Sequence, residues 1–401
     1  MTVKAVQFVP MNFDNDFGLI RETVLTTDTA CAAVDFGIRR DALAELEKIA
    51  QTADRDQFLL AAMRVVALAG NGHTRVIPNA AISVLPLRVL ALGGGFGVVD
   101  AMGEYSKFVG ADIAAVNGMP VHRFMQRARQ SLAGTRARQN VIGALHLTWP
   151  AAVRTIAGDG PSNDVRFDLR LPDGTDETLA LNSDGVVPAL DLYPMWEHGQ
   201  RHVKDTRPVV LCKRARNDAW YIALPTFNDP NGSQLEDALK VSATDIARDP
   251  SQNLIFDLRG NTGGDFTRTL PFMERVQQFW TGQKIAVLVD AFTFSAAIVF
   301  VALLKHRFTH AVEIVGEDMG DGLRFHAEGD MLDLPDSGAH LRFSTGWHDW
   351  ATGVPTDETP VEVKPHMVGV GDLTPDHQVC RTARDLVQGV DPQLARALAI
   401  T

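Results

Sequence analysis

Two segments carry residue types that could perform acyl-transfer chemistry. The first, LIFDLRGNTGG at 254–264, reads as a buried strand entering a turn with glycines at Gly260, Gly263 and Gly264. The second, DAFTFSAAIVF at 290–300, reads as a strand end, a short turn, and a helix opening at Ser295. A glycine pair lets backbone N–H groups approach a ligand closely, and a serine at a helix N-terminus sits in a positive field. The small residues Ala296 and Ala297 keep the following N–H accessible. A nucleophile and donors for an oxyanion are thus close in sequence, and the chain reads as a serine hydrolase. Ser295 is also a common helix-cap choice, and Gly263–Gly264 also suits a plain strand-to-helix turn.

A serine nucleophile needs a base. Among the 12 histidines, His73 in AGNGHTRV is the best candidate, since it follows a helix end in a tight turn from which an imidazole can project. His348 in STGWHDW is the rival, with Asp349 beside it to orient it and two tryptophans that equally suit a packed aromatic corner. Asp257 and Arg259 lie at a core strand end, where a structural ion pair is expected rather than a catalytic role.

Elements of three kinds must position these residues. Residues 1–95 are predicted to be mainly helical: Leu43, Leu46, Ile49 and Ala50 fall at helical spacing over 41–53, and Asp54 with Gln57 resembles a capping box opening the next helix. That helix ends at Gly70 and Gly72. Residues 96–185 change to short apolar or alternating runs (GVVDA, ADIAAVNG, VRFDLRLPDG) with one helix near 121–132, a small β-rich module. A polar stretch at 186–207 links it onward. From 208 to 401 the strands WYIALPTF, NLIFDLRG, IAVLVD and AVEIVG alternate with helices after Asn231, Phe266 and Ser295, the pattern of an α/β layered core. A helical pair closes the chain.

Composition bounds the function. With 401 residues there is room for two or three domains. A net charge of −11 argues against nucleic acid and anionic membranes as partners. Three distant cysteines form neither a disulfide framework nor a zinc signature, and serine hydrolase chemistry needs no metal or cofactor. No run of eighteen apolar residues exists, and the first sixteen residues lack the apolar core of a signal peptide, so a cytoplasmic location is the default. A leader already removed would leave the same pattern.

In combination, these motifs resemble the S41 peptidase family, which includes tail-specific C-terminal processing proteases, tricorn-like proteases and retinoid-binding relatives. LIFDLRGNTGGDF resembles the family's strand and glycine turn, FTFSAA its nucleophile segment, and NGHTRV its N-terminal DGHT motif. IVGEDMGDG, LPDSGAHLRFSTG and DLVQGVDPQLARAL fit later segments in order, and VGADIAAVNGMPV is similar to part of a degenerate PDZ-type module. The resemblance implies a crotonase-like β/α core, Ser295 as nucleophile and His73 as base in the tricorn-like arrangement. It implies an oxyanion hole from the Ala296 N–H with that of Gly263 or Gly264, a peptide or protein substrate, and a homo-oligomeric state left open.

Three departures are visible. Gly320-Asp321-Gly322 stands where the processing proteases carry a base lysine, which leaves the histidine route. Gly72 stands where tricorn-like enzymes have a supporting serine. The late glutamate has no clean match among Asp357, Glu358 and Glu362, of which Glu358 is chosen. The expected function is therefore a serine peptidase working through an acyl-enzyme. The alternatives are an esterase, lactonase or acyl-transfer enzyme, and a non-catalytic ligand-binding relative.

Overall fold

The computed structural model describes residues 12–158, 164–193, 210–215, 219–229 and 232–401. Residues 1–11, which hold most of the segment weighed as a leader, and 194–207 of the expected linker lie outside the described residues.

Two helices dominate the N-terminal region. Phe36–Thr52 starts earlier than its apolar spacing suggests, because Asp35 caps it by accepting the Ile38 N–H at 3.1 Å. Arg55–Ala67 opens at Asp54, whose side chain accepts the Gln57 N–H at 2.9 Å. Leu43, Leu46 and Ala50 of the first pack with Phe58, Leu59, Met63 and Val66 of the second in one buried cluster. The second helix stops where Gly70 takes a φ of 63°, the left-handed conformation that glycine adopts without steric cost. The chain then turns through 71–74 into the short strand Arg75–Ile77.

An antiparallel sheet follows, in the order Leu87–Leu92, Gly95–Ala101, Asp112–Val116, Asp164–Arg170, Asp176–Asn182, with Met119–Pro120 paired to Asp112–Val116. Its first strand begins before the composition change at 96. Val165, Phe167 and Leu169 alternate inward, as a half-buried strand requires. The single helix expected near 121–132 is Val121–Ala128, and two more, Arg136–Thr148 and Pro150–Ala157, follow it. Both carried start signals: Thr135 accepts the Arg138 N–H at 3.2 Å, and Pro150 occupies a first-turn position.

The second half builds a sheet in the order Leu211–Arg214, Trp220–Ala223, Leu254–Asp257, Ile285–Val289, Val312–Gly316, His377–Gln378. The first pair is antiparallel and the rest are parallel. Gln234–Ala247, Leu270–Phe279 and Ala296–Phe308 are the connecting helices. One face of the sheet packs Ile222, Phe256, Val287 and Ile314 against these helices; the other packs Tyr221, Ile255, Leu288 and Val315 against the C-terminal helix Pro392–Ile400. Burial on both faces is why Leu254–Asp257 and Ile285–Val289 read as unbroken apolar runs.

The two halves are stitched by a third, three-stranded sheet. Arg75–Ile77 pairs with Ala339–Arg342, which pairs with Met331–Leu334. Leu334, Ala339 and Leu341 join the apolar cluster of the N-terminal helices. The Asp16 carboxylate adds N–H bonds from Asp336 and Ser337 at 2.8 and 2.9 Å. This sheet carries the 71–74 turn to the C-terminal edge of the parallel strands. Among the described residues, no helix is long and apolar enough to cross a membrane.

Candidate active site

Ser295 sits at the mouth of the Ala296–Phe308 helix with φ 57° and ψ −127°, a backbone conformation that costs a non-glycine residue about 1–3 kcal/mol. The surroundings hold it there. Asp290 Oδ1 accepts the N–H groups of Gly260, Phe292 and Thr293 at 3.0, 3.0 and 3.1 Å. The Thr293 hydroxyl donates to the Leu258 carbonyl at 3.0 Å, and Phe294 N–H to that of Asn261 at 3.0 Å. The serine turn and the glycine turn are thus one bonded unit. The helix behind them is buried along nearly its whole length, so the strained residue rests on a fixed platform.

The glycine pair divides its work. Gly263 N–H donates to Asn261 Oδ1 at 2.8 Å, so it is already spent inside the turn. A Cβ on Gly263 would come within 2.8 Å of Ser295 Cβ, which shows how closely the two turns approach. Gly264 has φ 128°, and a Cβ there would strike the Phe227 backbone. Its N–H and that of Ala296 have no acceptor among the described residues. Of the two glycines, Gly264 is the one with a donor left for a ligand.

His73 comes from the opposite half. Its turn is pinned by Thr74, whose hydroxyl donates to Asp28 at 2.6 Å, and by Asn71, whose amide donates to the His326 carbonyl and Ser344 at 2.9 and 3.0 Å. The imidazole lies between Phe294 and Phe325, with ring centroids 4.4 and 5.5 Å away. Gly72 packs closely: a Cβ there would meet the Phe294 ring at 3.0 Å, so any side chain would require that ring to give way.

His73 Nε2 stands 3.4 Å from Asp321 Oδ2, with the two side chains only 4% and 5% exposed. Neither atom has a hydrogen-bond partner among the described residues. Asp321 reaches this place because its neighbour Gly320 is clamped, donating N–H to the Thr293 carbonyl at 2.8 Å and accepting the Thr135 hydroxyl at 2.9 Å. Burial pushes the Asp321 carboxyl up to about 7, against the Gly322 N–H and the Arg138 charge, which lower it. Burial also holds His73 well below the ordinary histidine range, helped by Arg342, Arg138 and Arg75. The imidazole is therefore neutral at neutral pH, as a general base must be.

Ser295, His73 and Gly264 line one cavity of about 630 Å³, together with Phe227, Thr262, Glu328 and several arginines. No hydrogen bond joins Ser295 Oγ to His73 among the described residues; they share the cavity. Glu358 is elsewhere. It is exposed, its carbonyl accepts the Trp347 N–H at 3.0 Å, and its carboxylate acts on His326. His348 donates no proton to Asp349: its Nε2 meets Glu328 at 3.1 Å, while Asp349 pairs with Arg324 at 3.1 Å. Asp257 and Arg259 form the expected ion pair, at 2.6 Å. Asp321 stands in the Gly320-Asp321-Gly322 turn, and no local signal in the sequence marks its acid as the neighbour of His73. No three His, Cys, Asp or Glu side chains among the described residues are grouped to hold a metal ion.

No family model and no characterised protein sequence matches the chain. Solved structures do. Mature CPAF complexed with lactacystin is 14% identical and aligns over 97% of both chains with a TM-score of 0.57. Mature CPAF alone is 14% identical over 93% of this chain and 94% of its own, at 0.56. A photosystem II D1 C-terminal processing protease is a looser likeness, 17% identical over 92% of both chains at 0.37. At these identities the CPAF likeness speaks for the fold alone. The chain shares the overall fold of mature CPAF.

Proposed function

We propose that this chain is a serine peptidase that cleaves peptide bonds through an acyl-enzyme. The observation that carries the reading is a strained, half-buried Ser295 opening into the same cavity as a neutral His73 whose Nε2 faces a buried carboxyl. The S41-like fold favours a peptide over another acyl substrate. The parallel sheet with its connecting helices supports a crotonase-like core over 208–401. The antiparallel sheet with Val121–Ala128 supports a PDZ-like module beside an N-terminal helical region.

Ser295 Oγ attacks the scissile carbonyl carbon, and its proton passes to His73 Nδ1, the nitrogen turned away from Asp321. The carbonyl electrons move onto oxygen, where the N–H groups of Gly264 and Ala296 meet them; such a donor contributes roughly 3 kcal/mol to the transition state. The C–N bond then breaks, and His73 returns the proton to the leaving amine. Water enters, His73 takes its proton, and collapse of the second tetrahedral species releases the acid and restores Ser295. Asp321 is a positioning residue. Ionised, it accepts Nε2–H, leaves the Nδ1 lone pair free, and stabilises the imidazolium as it forms. The 3.4 Å separation is of the kind that tightens when substrate arrives. In this reading Asp321 takes the place expected for Glu358.

The test is fluorophosphonate labelling of the intact protein, read by mass spectrometry, with His73→Ala as control. A single adduct on Ser295 that disappears in the control is expected. A folded sample that labels elsewhere, or not at all, overturns the assignment.

A further inference from the structure

A short π-helical turn, Thr23–Thr27, precedes Asp28 and is closed by the Asp28 N–H bonding to the Thr23 carbonyl at 2.9 Å. Such turns are rare and concentrate at functional sites. The buried Arg39 supports this one, donating to the Val24 carbonyl at 2.9 Å. The turn delivers Asp28 into the interior beside the 71–74 turn, where 2% of the residue is exposed.

Three donors meet the Asp28 carboxylate. Its Oδ1 accepts the Cys31 N–H at 2.6 Å, and its Oδ2 accepts the Thr74 hydroxyl at 2.6 Å and the Ser344 N–H at 2.7 Å. Bonds that short are charge-assisted, and a buried carboxylate needs them to offset its lost hydration. One acid thus joins the helix Thr29–Ala32, the His73 turn and the loop after Ala339–Arg342. An ionised carboxylate only accepts, so it fixes the direction of the bonds around it. Thr74 gives its proton to Asp28, which leaves its oxygen to accept from the Asn71 amide at 3.1 Å. Asn71 also donates to the His326 carbonyl at 2.9 Å and turns its own oxygen to the His326 N–H at 3.3 Å.

These bonds grip His73 from two directions. Thr74 is its neighbour in the chain. His326 is the neighbour of Phe325, whose ring stacks 5.5 Å from the imidazole. Thr29 adds to the second grip: its Oγ1 meets His326 Nδ1 at 2.9 Å, and its N–H donates to the Ser344 carbonyl at 2.9 Å. The backbone that bears His73 and the ring that stacks on it are held by one segment, 28–31.

We propose that Asp28 is a positioning residue for His73, holding the imidazole where it can take the Ser295 proton. Its effect on turnover rests on the peptidase reading above; its hold on the ring does not. Asp16 supplies the contrast. It is a fully buried carboxylate that also ties the N-terminal helices to the three-stranded sheet, through the Asp336 and Ser337 N–H groups. That contact lies at the hairpin end of the sheet, beyond the Leu334–Ala339 pair, whereas the Met331–Arg342 pair borders the Ser295 cavity.

The test compares Asp28→Asn, Thr74→Val, Thr74→Ser and Asp16→Asn in the full chain, on one peptide found cleaved in a proteome-derived library. Asp28→Asn and Thr74→Val should each lower kcat by roughly 10²-fold, the cost of misplacing a reacting group by about 1 Å, with KM within about twofold of the parent. Thr74→Ser, which keeps the hydroxyl, should restore most of the rate. Because Asp28 and Thr74 act through one bond, the double variant should lose no more than either alone. Asp16→Asn should lower the melting temperature and leave kcat per folded molecule in place.

The His73 imidazole itself, followed by NMR of isotope-labelled histidine, gives a readout that needs no turnover. Its ring resonances should move in Asp28→Asn and Thr74→Val and stay in place in Asp16→Asn. That pattern without peptide cleavage keeps the positioning and removes the peptidase. Cleavage in which Asp28→Asn and Thr74→Val lose no more kcat per folded molecule than Asp16→Asn overturns the positioning and leaves the peptidase. Neither cleavage nor movement overturns both. Should Asp28→Asn fail to fold, Thr74→Val alone decides, since it exchanges one hydroxyl for a methyl.

Discussion

Two buried acid–base pairs flank the ends of the core strands, and they are built in opposite ways. Asp257 and Arg259 meet at 2.6 Å, and both are bonded further: Tyr221 donates to Asp257 at 2.6 Å, and Arg259 donates to Asp391 and Gln393 at 2.8 and 3.0 Å. Burial alone would raise the Asp257 carboxyl, but Arg259 and these bonds outweigh it and bring it to about 2. Asp321 and His73 are as deeply buried, yet stand 3.4 Å apart with the facing atoms unbonded. The first pair has one protonation state across all ordinary conditions. The second is poised between states near neutrality, the property that proton transfer requires. Burial by itself therefore does not decide how a pair titrates; saturation of its hydrogen bonds does.

The largest break in that contrast comes from the saturated pair. Arg259→Ala leaves Asp257 and Asp391 without their cation, and removing one partner of a buried pair costs about 3–5 kcal/mol. Urea denaturation at pH 7 should show a loss of that size. A loss under 1 kcal/mol would mean that the pair is not the anchor its geometry describes. Activity, where the variant still folds, should fall only with the folded fraction.

Asp321→Asn should act the other way, with a pH signature. The folded-state pKa of Asp321 is raised to about 7 from an unfolded value near 3.8. At low pH the carboxyl is protonated in both states. As pH rises from about 4 to 7, the unfolded chain releases its proton while the folded one keeps it, so wild-type stability falls and then levels. The asparagine variant lacks this term, so its stability relative to wild type should rise over that window by up to a few kcal/mol. His73, whose pKa is lowered by burial and by the three arginines, contributes the opposite slope to the wild type. The kcat/KM profile of the wild type should climb through pH 7 as Asp321 ionises, and the variant should lose that step and roughly 10³–10⁴ in rate. A purely structural Asp321 would leave the shape of the profile unchanged.

What the sequence made legible follows the range of the interactions involved. The parallel strands, the glycine turn and the place of Ser295 at a helix mouth were readable because each is signalled locally, by a continuous apolar run, by paired glycines and by small residues opening a helix. The helices Arg136–Thr148 and Pro150–Ala157 carried local signals too, at Thr135 and Pro150, which the β-like runs around them masked. Asp321 was not readable as the partner of His73. Their contact depends on Gly320 docking between Thr293 and Thr135, three segments far apart in the chain. The meeting of Thr74 and Ser344 at Asp28 is likewise a matter of strand register across most of the sequence. No local pattern encodes it.

The smallest expected effect sharpens the same point. Glu358 was chosen as the third catalytic group from its place in the order of motifs, yet its exposed carboxylate acts on His326 rather than His73. A surface carboxylate free of buried bonds changes stability by less than about 0.5 kcal/mol when neutralised. Glu358→Gln should therefore keep kcat/KM within about twofold of wild type and leave the pH profile in place, measured on the same peptide as Asp321→Asn. A loss approaching that of Asp321→Asn would mean that the 350–360 segment moves toward His73 when substrate binds. The carboxyl that holds the imidazole during turnover would then be Glu358, and the unbonded contact with Asp321 would be a resting-state arrangement.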